Sequence, residues 1–356
     1  PMGVTNTSEL CMWMETNNRV YGRTNNPYDA TRIVGGSSGG EGAIVGAGAS
    51  PVGLAADVGG SIRMPAFFCG AFGHKASGGL VPNTGQWPIA ENEALRYLTT
   101  GPITRRAEDL WPYLQAVMGP DGEDTGCQSI ELGEPDAVDL CGLEVITVPD
   151  NGRIGVSSDL KEAQRRCADH LANRGARVRE IRIDGLRPSF EIWAASMEAA
   201  GGTPFRELLG EGEPVPLVRE AIRFMAGRSD HTLPALVLAL VEKFPALQGE
   251  SGQKLLNRGR ELRRQIEAQM GEGIMLYPSY SCCAPPHRWP LRHPFDWVYT
   301  GIINVLEFPA TQVPLGLNEE GLPLGVQVIA RHGADHRTIA VALELERAFG
   351  GWVSPP

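Results

Sequence analysis

Two short stretches of the 356-residue chain place serine among glycines. Ser37 and Ser38 lie within residues 35–40, and Ser61 follows Gly59 and Gly60 directly. A serine hydroxyl becomes a nucleophile when another group takes its proton. Glycines allow successive backbone N–H groups to approach and stabilise the oxyanion that forms during acyl transfer. The two stretches therefore indicate nucleophilic catalysis on a carbonyl group, such as amide hydrolysis.

The second stretch is the better candidate for the centre of this chemistry. Val58, Gly59 and Gly60 offer successive N–H groups beside the Ser61 hydroxyl. Ser37 precedes Ser61 by 24 positions, and a second serine can relay a proton between a nucleophile and a base.

The first stretch also allows a different interpretation. Residues 36–40 satisfy the pattern Gly-x-Ser-x-Gly with Ser38 as the nucleophile, which is typical of the α/β-hydrolase turn. His332 or His336 would then be the base. This alternative leaves the surroundings of Ser61 without a role. Phosphate binding is disfavoured, because the glycines are not followed by the Gly-Lys-Ser/Thr of a phosphate loop.

A metal site is not predicted. Cys282, Cys283, His287 and His293 lie close together in sequence, but their spacing matches no common zinc pattern. We interpret this stretch as a loop that lines a substrate pocket, and we predict neither a metal nor a cofactor.

The composition excludes some partners and favours others. The formal net charge of −10 disfavours nucleic acid as a ligand. The seven cysteines show no paired spacing, which favours a reducing, cytoplasmic compartment. No signal peptide and no apolar run of membrane-spanning length is visible, and a start at Pro1 suggests a missing upstream segment. Membrane contact and homodimer formation stay open.

The elements follow from hydrophobic periodicity. A helix of small residues is predicted after Ser38, with the hydroxyls of Ser37 and Ser38 as caps. From residue 150 the pattern predicts alternating strands and helices, with Asp335 capping the last helix. The predicted strands are 153–156, 176–178, 273–277, 311–315 and 324–330, and the predicted helices are 158–174, 255–270, 296–305 and 335–349. The absence of repeats and linkers predicts a single domain over residues 1–356.

Two apolar features have two interpretations each. The apolar stretch 233–247 suits a core helix better than a lipid-contacting cap. Trp13, Phe67, Phe68 and Trp297 could line an acyl pocket or belong to the core.

The chain resembles the amidase signature family. The resemblance lies in residues 35–40 and 57–65, in the blocks 68–75 and 101–110, and in residues 314–327 near the end. Within the family, residues 8–13, 25–29 and 73–75 look most like the fatty acid amide hydrolase type 2 branch. The resemblance implies an α/β fold with one large, mixed, twisted β-sheet covered by helices on both faces. It also implies hydrolysis of carboxamide bonds and a small-molecule amide substrate, with lipophilic acyl amides favoured by the branch.

The resemblance also implies roles for individual residues. Ser61 takes the position of the nucleophile, and Ser37 that of the bridging serine, which in the family follows a cis peptide bond. Val58, Gly59 and Gly60 take the oxyanion-hole positions together with the Ser61 N–H. Three further residues would support the loops: Asp57, Arg63 and Ser38.

One departure from the family pattern affects the mechanism. The base of the family is a lysine well upstream of the first glycine stretch, whereas the first lysine of this chain is Lys75. Lys75 is expected to pack structurally, and arginine does not deprotonate in proteins. The hypotheses are therefore an amidase with its lysine outside these residues, an inactive amidase-like protein, and a transamidase subunit.

Overall fold

The computed structural model describes residues 2–241 and 249–356. The strands are β1 (Asn17–Asn18), β2 (Gly22–Arg23), β3 (Val52–Asp57), β4 (Phe72–Lys75), β5 (Thr99–Thr104), β6 (Glu144–Thr147), β7 (Arg177–Glu180), β8 (Ile274–Tyr277), β9 (Ala310–Leu317) and β10 (Pro323–Ile329). The helices are α1 (Gly39–Gly46), α2 (Arg63–Phe68), α3 (Ala94–Tyr97), α4 (Leu110–Val117), α5 (Ser158–Asn173), α6 (Ser189–Ala200), α7 (Phe205–Leu209), α8 (Leu217–Met225), α9 (Leu233–Val241), α10 (Gly249–Met270), α11 (Val298–Val305) and α12 (Asp335–Phe349).

Eight strands form one mixed sheet in the order β3-β5-β4-β9-β10-β8-β6-β7. β6 pairs in parallel with β7 and β8, and the other neighbours pair antiparallel. The predicted mixed sheet is therefore present. The division into domains stays a prediction.

Helices cover both faces of this sheet. Successive strand residues point to opposite faces, so Val145 contributes to one hydrophobic cluster and Ile146 to the other. The first cluster includes α5 and α12, and the second includes α6, α10 and α11. α5 shows why its sequence forms a helix, because its buried residues recur at three- and four-residue intervals and Gly175 follows its end with φ +94°.

Most predicted elements are confirmed, with ends shifted by at most two residues, except that α10 already covers Gly249 whereas the prediction began at residue 255. The predicted strand 153–156 is wrong, because this segment is an irregular turn in which the Asn151 side chain accepts the N–H groups of Arg153 and Ile154. Asp335 does not cap the last helix through its side chain. Its carboxylate accepts the Ser77 N–H at 2.8 Å instead.

The apolar stretch 233–247 is described only in part. α9 covers Leu233–Val241, and residues 242–248 lie outside the described residues. Ala235 and Ala239 are buried, whereas Leu240 is 70% exposed, so the described part is neither a wholly buried core helix nor a free one. Within residues 2–241 and 249–356, no helix has both the length and the apolar character that crossing a membrane requires.

Candidate active site

The loop around Ser61 connects β3 to α2 and is held by one buried carboxylate. Asp57 Oδ1 accepts the Gly60 N–H at 2.7 Å, and Oδ2 accepts the N–H groups of Ile62 at 3.1 Å and Arg63 at 3.3 Å. These bonds hold residues 57–63 in a turn that follows β3. Asp57 therefore holds the backbone of this loop through three N–H groups.

Arg63, in the first turn of α2, binds the same carboxylate. We call Asp57 and Arg63 together the clamp. Its guanidinium donates to both Asp57 carboxylate oxygens, Nε at 3.1 Å and Nη2 at 2.9 Å, and both side chains are fully buried. Burial alone would raise the pKa of Asp57, but the Arg63 charge and hydrogen bonds outweigh it and lower the pKa to about 2. The carboxylate is therefore ionised at neutral pH. The predicted supporting role of this pair agrees with these contacts.

Three polar residues that the sequence analysis did not single out as site residues also hold the clamp. Arg63 donates to Gln327 Oε1 at 2.9 Å, to Asn304 Oδ1 at 2.6 Å and to the Thr300 carbonyl at 3.0 Å. Asn304 Nδ2 in turn donates to the Asp57 carbonyl at 2.7 Å. Gln327 belongs to the amidase-like stretch near the end, but nothing in the local sequence marks Asn304 or Thr300.

The two glycines before Ser61 lie where side chains would not fit. Gly60 has φ +121°, and a β-carbon there would overlap the Thr300 hydroxyl. A β-carbon on Gly59 would lie 3.0 Å from Trp297 Cζ3. Position 60 therefore requires glycine, because its φ is positive and because a side chain would collide with Thr300.

The N–H groups of this loop fall into two sets. The Gly60 N–H, predicted as an oxyanion-hole donor, already donates to Asp57. Among the described residues, the N–H groups of Val58, Gly59 and Ser61 have no acceptor. The uncommitted donors are therefore on either side of Gly60.

The stretch around Ser37 packs against α2. A β-carbon on Gly35 would lie 2.8 Å from Pro65 N, and one on Gly42 would lie 2.7 Å from Pro65 Cβ. The Gly36–Ser37 peptide bond is cis, as the family resemblance predicts. Ser37 and Ser61 are 5% and 8% exposed, so both residues are buried.

The cap of α1 differs from the sequence-based expectation. Ser38 occupies the N-cap position, but its hydroxyl makes no capping bond. The Thr16 hydroxyl instead accepts the Gly39 N–H at 3.0 Å and lies 2.9 Å from the Gly35 carbonyl. A residue distant in sequence thus replaces the predicted cap.

Other nominated residues have partners of their own. His332 contacts the Gly78 carbonyl, and His336 accepts the Gly133 N–H, so the hydrogen bonds of these two candidates for a Ser38 base go to other groups. His287 contacts Glu15 and the Ala30 carbonyl. Among the described residues, no group of three or more His, Cys, Asp or Glu is arranged to hold a metal ion.

The four nominated aromatic residues separate into two groups. Phe67 and Phe68 are fully buried and belong to the core. Trp13 and Trp297 are half-buried, and Trp297 lies against Gly59. Trp297 joins Phe190, Trp193 and Phe295 in a set of edge-to-face ring contacts, which we call the aromatic wall.

The amidase family model matches residues 1–339. The chain belongs to the amidase family. It is 47% identical to fatty-acid amide hydrolase 2-B of Danio rerio, with 100% of this chain and 68% of that protein aligned. It is 44% identical to fatty-acid amide hydrolase 2 of Homo sapiens over the same shares. The predicted resemblance is thereby confirmed, and the protein is an amide-hydrolysing enzyme related to these hydrolases.

Other relatives share the fold and differ more in sequence. One subunit of the glutamyl-tRNA(Gln) amidotransferase of Chlamydia muridarum is 30% identical, with 97% of this chain and 72% of that protein aligned. The solved structure of 6-aminohexanoate cyclic dimer hydrolase with substrate superposes with a TM-score of 0.80 at 24% identity, covering 98% of this chain and 74% of that one. This likeness confirms the predicted amidase-signature fold.

Lys75 lies close enough to the clamp to interact with its charges. It is fully buried at the end of β4, and its Nζ donates to the Ala76 carbonyl at 2.8 Å. Burial, and secondly the Arg63 charge, lower its pKa from 10.5 to about 7. The structural role expected for Lys75 stays a prediction, and its lowered pKa makes stability depend on pH.

We expect Lys75→Met to change how stability varies with pH. The folded pKa lies below the unfolded one, so the wild type is penalised at low pH and relieved as pH rises from about 7 towards 10.5. The unfolding free energy of the variant relative to wild type should therefore fall by about 1 kcal/mol per pH unit between about pH 7 and pH 9. Urea unfolding at several pH values measures this. The exposed Lys254→Met is the matched control, and a pH-independent difference for Lys75→Met would contradict the expectation.

Proposed function

We propose that the protein hydrolyses lipophilic acyl amides through an acyl-enzyme on Ser61. The observation that carries the proposal is the Asp57–Arg63 clamp, which holds Ser61 in a turn between uncommitted N–H groups. A loop with a buried serine and free donors suits attack on a carbonyl group and stabilisation of the resulting oxyanion.

The proposed reaction has two halves. Ser61 Oγ attacks the amide carbonyl carbon and gives its proton to Ser37 Oγ, while Ser37 passes its own proton to a base. Collapse of the tetrahedral intermediate breaks the C–N bond, and Ser37 returns a proton to the departing amine nitrogen. The base then returns its proton to Ser37. Water attacks the ester carbonyl, its proton passes through Ser37 to Ser61 Oγ, and the bond between the acyl carbon and Ser61 Oγ breaks to release the carboxylic acid. The base that serves Ser37 has no candidate among residues 1–74, which contain no lysine.

We propose Gly59 and Ser61 as the principal oxyanion donors, with Val58 beside them. Their N–H groups have no acceptor among the described residues, so they can turn to the substrate without losing a bond. Gly60 shapes the hole through its conformation and through its N–H bond to Asp57. This narrows the sequence-based assignment, which counted the Gly60 N–H among the donors.

The aromatic wall supports an apolar acyl group. Trp297 lies against Gly59, and Phe295 is 43% exposed next to Phe190. Ring faces that stay partly accessible beside the reacting atoms favour burial of hydrocarbon. The names of the Danio rerio and Homo sapiens relatives favour the same substrate class.

A fluorophosphonate probe tests the nucleophile directly. The full-length protein should form a covalent adduct with the probe on Ser61. Labelling should vanish in Ser61→Ala and persist in Ser38→Ala, and peptide mapping should place the adduct on Ser61. Labelling that depends on Ser38 would instead favour the α/β-hydrolase alternative.

Two further outcomes would replace the proposal. A labelled protein without amide turnover would support the inactive amidase-like alternative. Ammonia transfer that requires glutamine and a partner chain would support the transamidase alternative.

A further inference from the structure

A tryptophan from α6 reaches the loop that carries the nucleophile. Trp193 Nε1 donates a 2.9 Å hydrogen bond to the Val58 carbonyl, across 135 positions of sequence. Its ring meets Trp297 edge to face, with centroids 4.6 Å apart and an interplanar angle of 83°. The indole therefore contacts both Trp297 of the aromatic wall and the backbone next to the glycines.

A hydrogen bond that holds a peptide carbonyl in place also fixes the direction of the N–H group of the same peptide. The peptide unit is planar, and in the trans form its C=O and the following N–H point in opposite directions. Holding the Val58 carbonyl against Trp193 therefore turns the Gly59 N–H away from the indole. The direction of the first proposed oxyanion donor thus depends on this bond.

The next two peptides are held by other elements. The Gly59 carbonyl accepts the Thr300 hydroxyl at 2.7 Å, and this turns the Gly60 N–H towards Asp57. The Gly60 carbonyl accepts the Met64 N–H at 2.7 Å, and this hydrogen bond fixes the direction of the Ser61 N–H. Of the three peptides, only the one between Val58 and Gly59 is held by a residue of the aromatic wall.

We propose that Trp193 is a positioning residue whose indole N–H orients the Gly59 N–H of the oxyanion hole. The inference rests on the proposed function, since it assumes an oxyanion at this loop. In this proposal, the Trp193 side chain connects the acyl-binding surface to the loop that carries Ser61. A wall that only bound hydrocarbon would need the ring and not the N–H.

Trp193→Phe separates these two roles, because it keeps an aromatic ring and removes the donor. One oxyanion-hole donor is worth roughly 100- to 1,000-fold in kcat, and a misdirected donor retains part of that. We expect kcat for an acyl amide to fall about 10- to 100-fold, with KM changed less than about threefold. Affinity for an alkyl trifluoromethyl ketone, which forms a tetrahedral oxyanion on the nucleophile, should fall in parallel with kcat/KM.

Trp352→Phe is the matched control. Trp352 is also half-buried, and its Nε1 also donates to a backbone carbonyl, that of Gly46 at 2.8 Å. The control loses the same kind of bond away from the site, so its kcat and ketone affinity should equal those of the wild type. Thermal unfolding of both variants shows whether they lose similar stability. If Trp193→Phe does not fold, β-(3-benzothienyl)alanine is placed at position 193 instead, because it keeps the bicyclic ring and has sulfur where the indole has its N–H.

The outcomes distinguish the inference from the function on which it rests. Unchanged kcat and ketone affinity in Trp193→Phe, or a rise in KM alone, would overturn the positioning role while Ser61→Ala stays inactive. Turnover that survives in Ser61→Ala would overturn the proposed function, and the inference with it. A fall in kcat that matches the fall in ketone affinity, and that Trp352→Phe lacks, would support the inference.

Discussion

Ser61→Ala is expected to lower kcat for amide hydrolysis by roughly 10,000-fold or more, because no acyl-enzyme can form without the hydroxyl. The loop itself should survive the change. Asp57 bonds the N–H groups of Gly60, Ile62 and Arg63, and no hydroxyl takes part in those bonds. Steady-state kinetics on a long-chain acyl amide and the thermal unfolding midpoint measure the two expectations.

Two further variants test whether the two serines act together: Ser37→Ala, and Ser37→Ala combined with Ser61→Ala. Ser37→Ala should lower kcat by roughly 100- to 10,000-fold, because proton transfer to the departing amine is impaired. The double variant should be no slower than Ser61→Ala, since residues that act as one unit are not additive. Ser50→Ala is the control, because that serine is 4% exposed and donates to the Val52 carbonyl away from the site. Additive losses would show that the two serines act independently.

Arg63→Met is expected to lower the free energy of unfolding by about 3–5 kcal/mol. The change leaves the Asp57 carboxylate fully buried and without its guanidinium partner. It also leaves the oxygens of Gln327 and Asn304 without the donor that now reaches them. Urea unfolding at neutral pH measures the loss, and fluorophosphonate labelling should fall with it because the Ser61 loop loses its support.

A second substitution tests whether the unpaired charge is the cause. Asp57→Asn combined with Arg63→Met removes both charges, and the double variant should be more stable than Arg63→Met alone. Arg165→Met removes an exposed pair with Glu162 and should leave the urea midpoint unchanged. A double variant that is less stable than Arg63→Met would show that the Asp57 hydrogen bonds matter more than the charge balance.

The stability supplied by this pair also has a defined pH range. The folded pKa of Asp57 is lowered to about 2 from 3.8, so the contribution is present above the unfolded value and is lost as pH falls through the folded one. In strong acid, Arg63→Met should therefore lose the part of its disadvantage that comes from the unpaired Asp57 charge and keep the part that comes from the lost hydrogen bonds to Gln327 and Asn304, and urea unfolding between about pH 2 and pH 7 measures this.

Local patterns in the sequence predicted the elements that bury one face. α5 and α12 lie where apolar residues recur at helical spacing, and β8 and β10 lie where short apolar runs do. The same patterns failed at residues 153–156, because a short apolar run does not show that its backbone pairs with another strand. There, the Asn151 side chain holds a turn instead.

The serine-bearing stretches were visible in the sequence because the chemistry proposed for them depends on glycine, serine and their order, which are local features. Ser37, Ser61, Asp57 and Arg63 could be named from that order and from the family resemblance that it supports. What the tertiary structure decided is how the loop is held. Thr300, Asn304 and Gln327 reach it from more than 200 positions away, and Trp193 reaches it from another helix.

The physical reason is the range of the interactions. Periodicity reports which face of a segment is buried, and glycine reports where backbone comes close, but neither shows which distant polar group meets a given carbonyl or N–H. The Gly60 N–H is an example. Glycine at this position suggested a free donor, but in the structure this N–H donates to Asp57. The proposal that Ser61 is the reacting serine thus followed from the sequence, whereas the direction of each N–H around it depended on the packing of α6 and α11 against the loop.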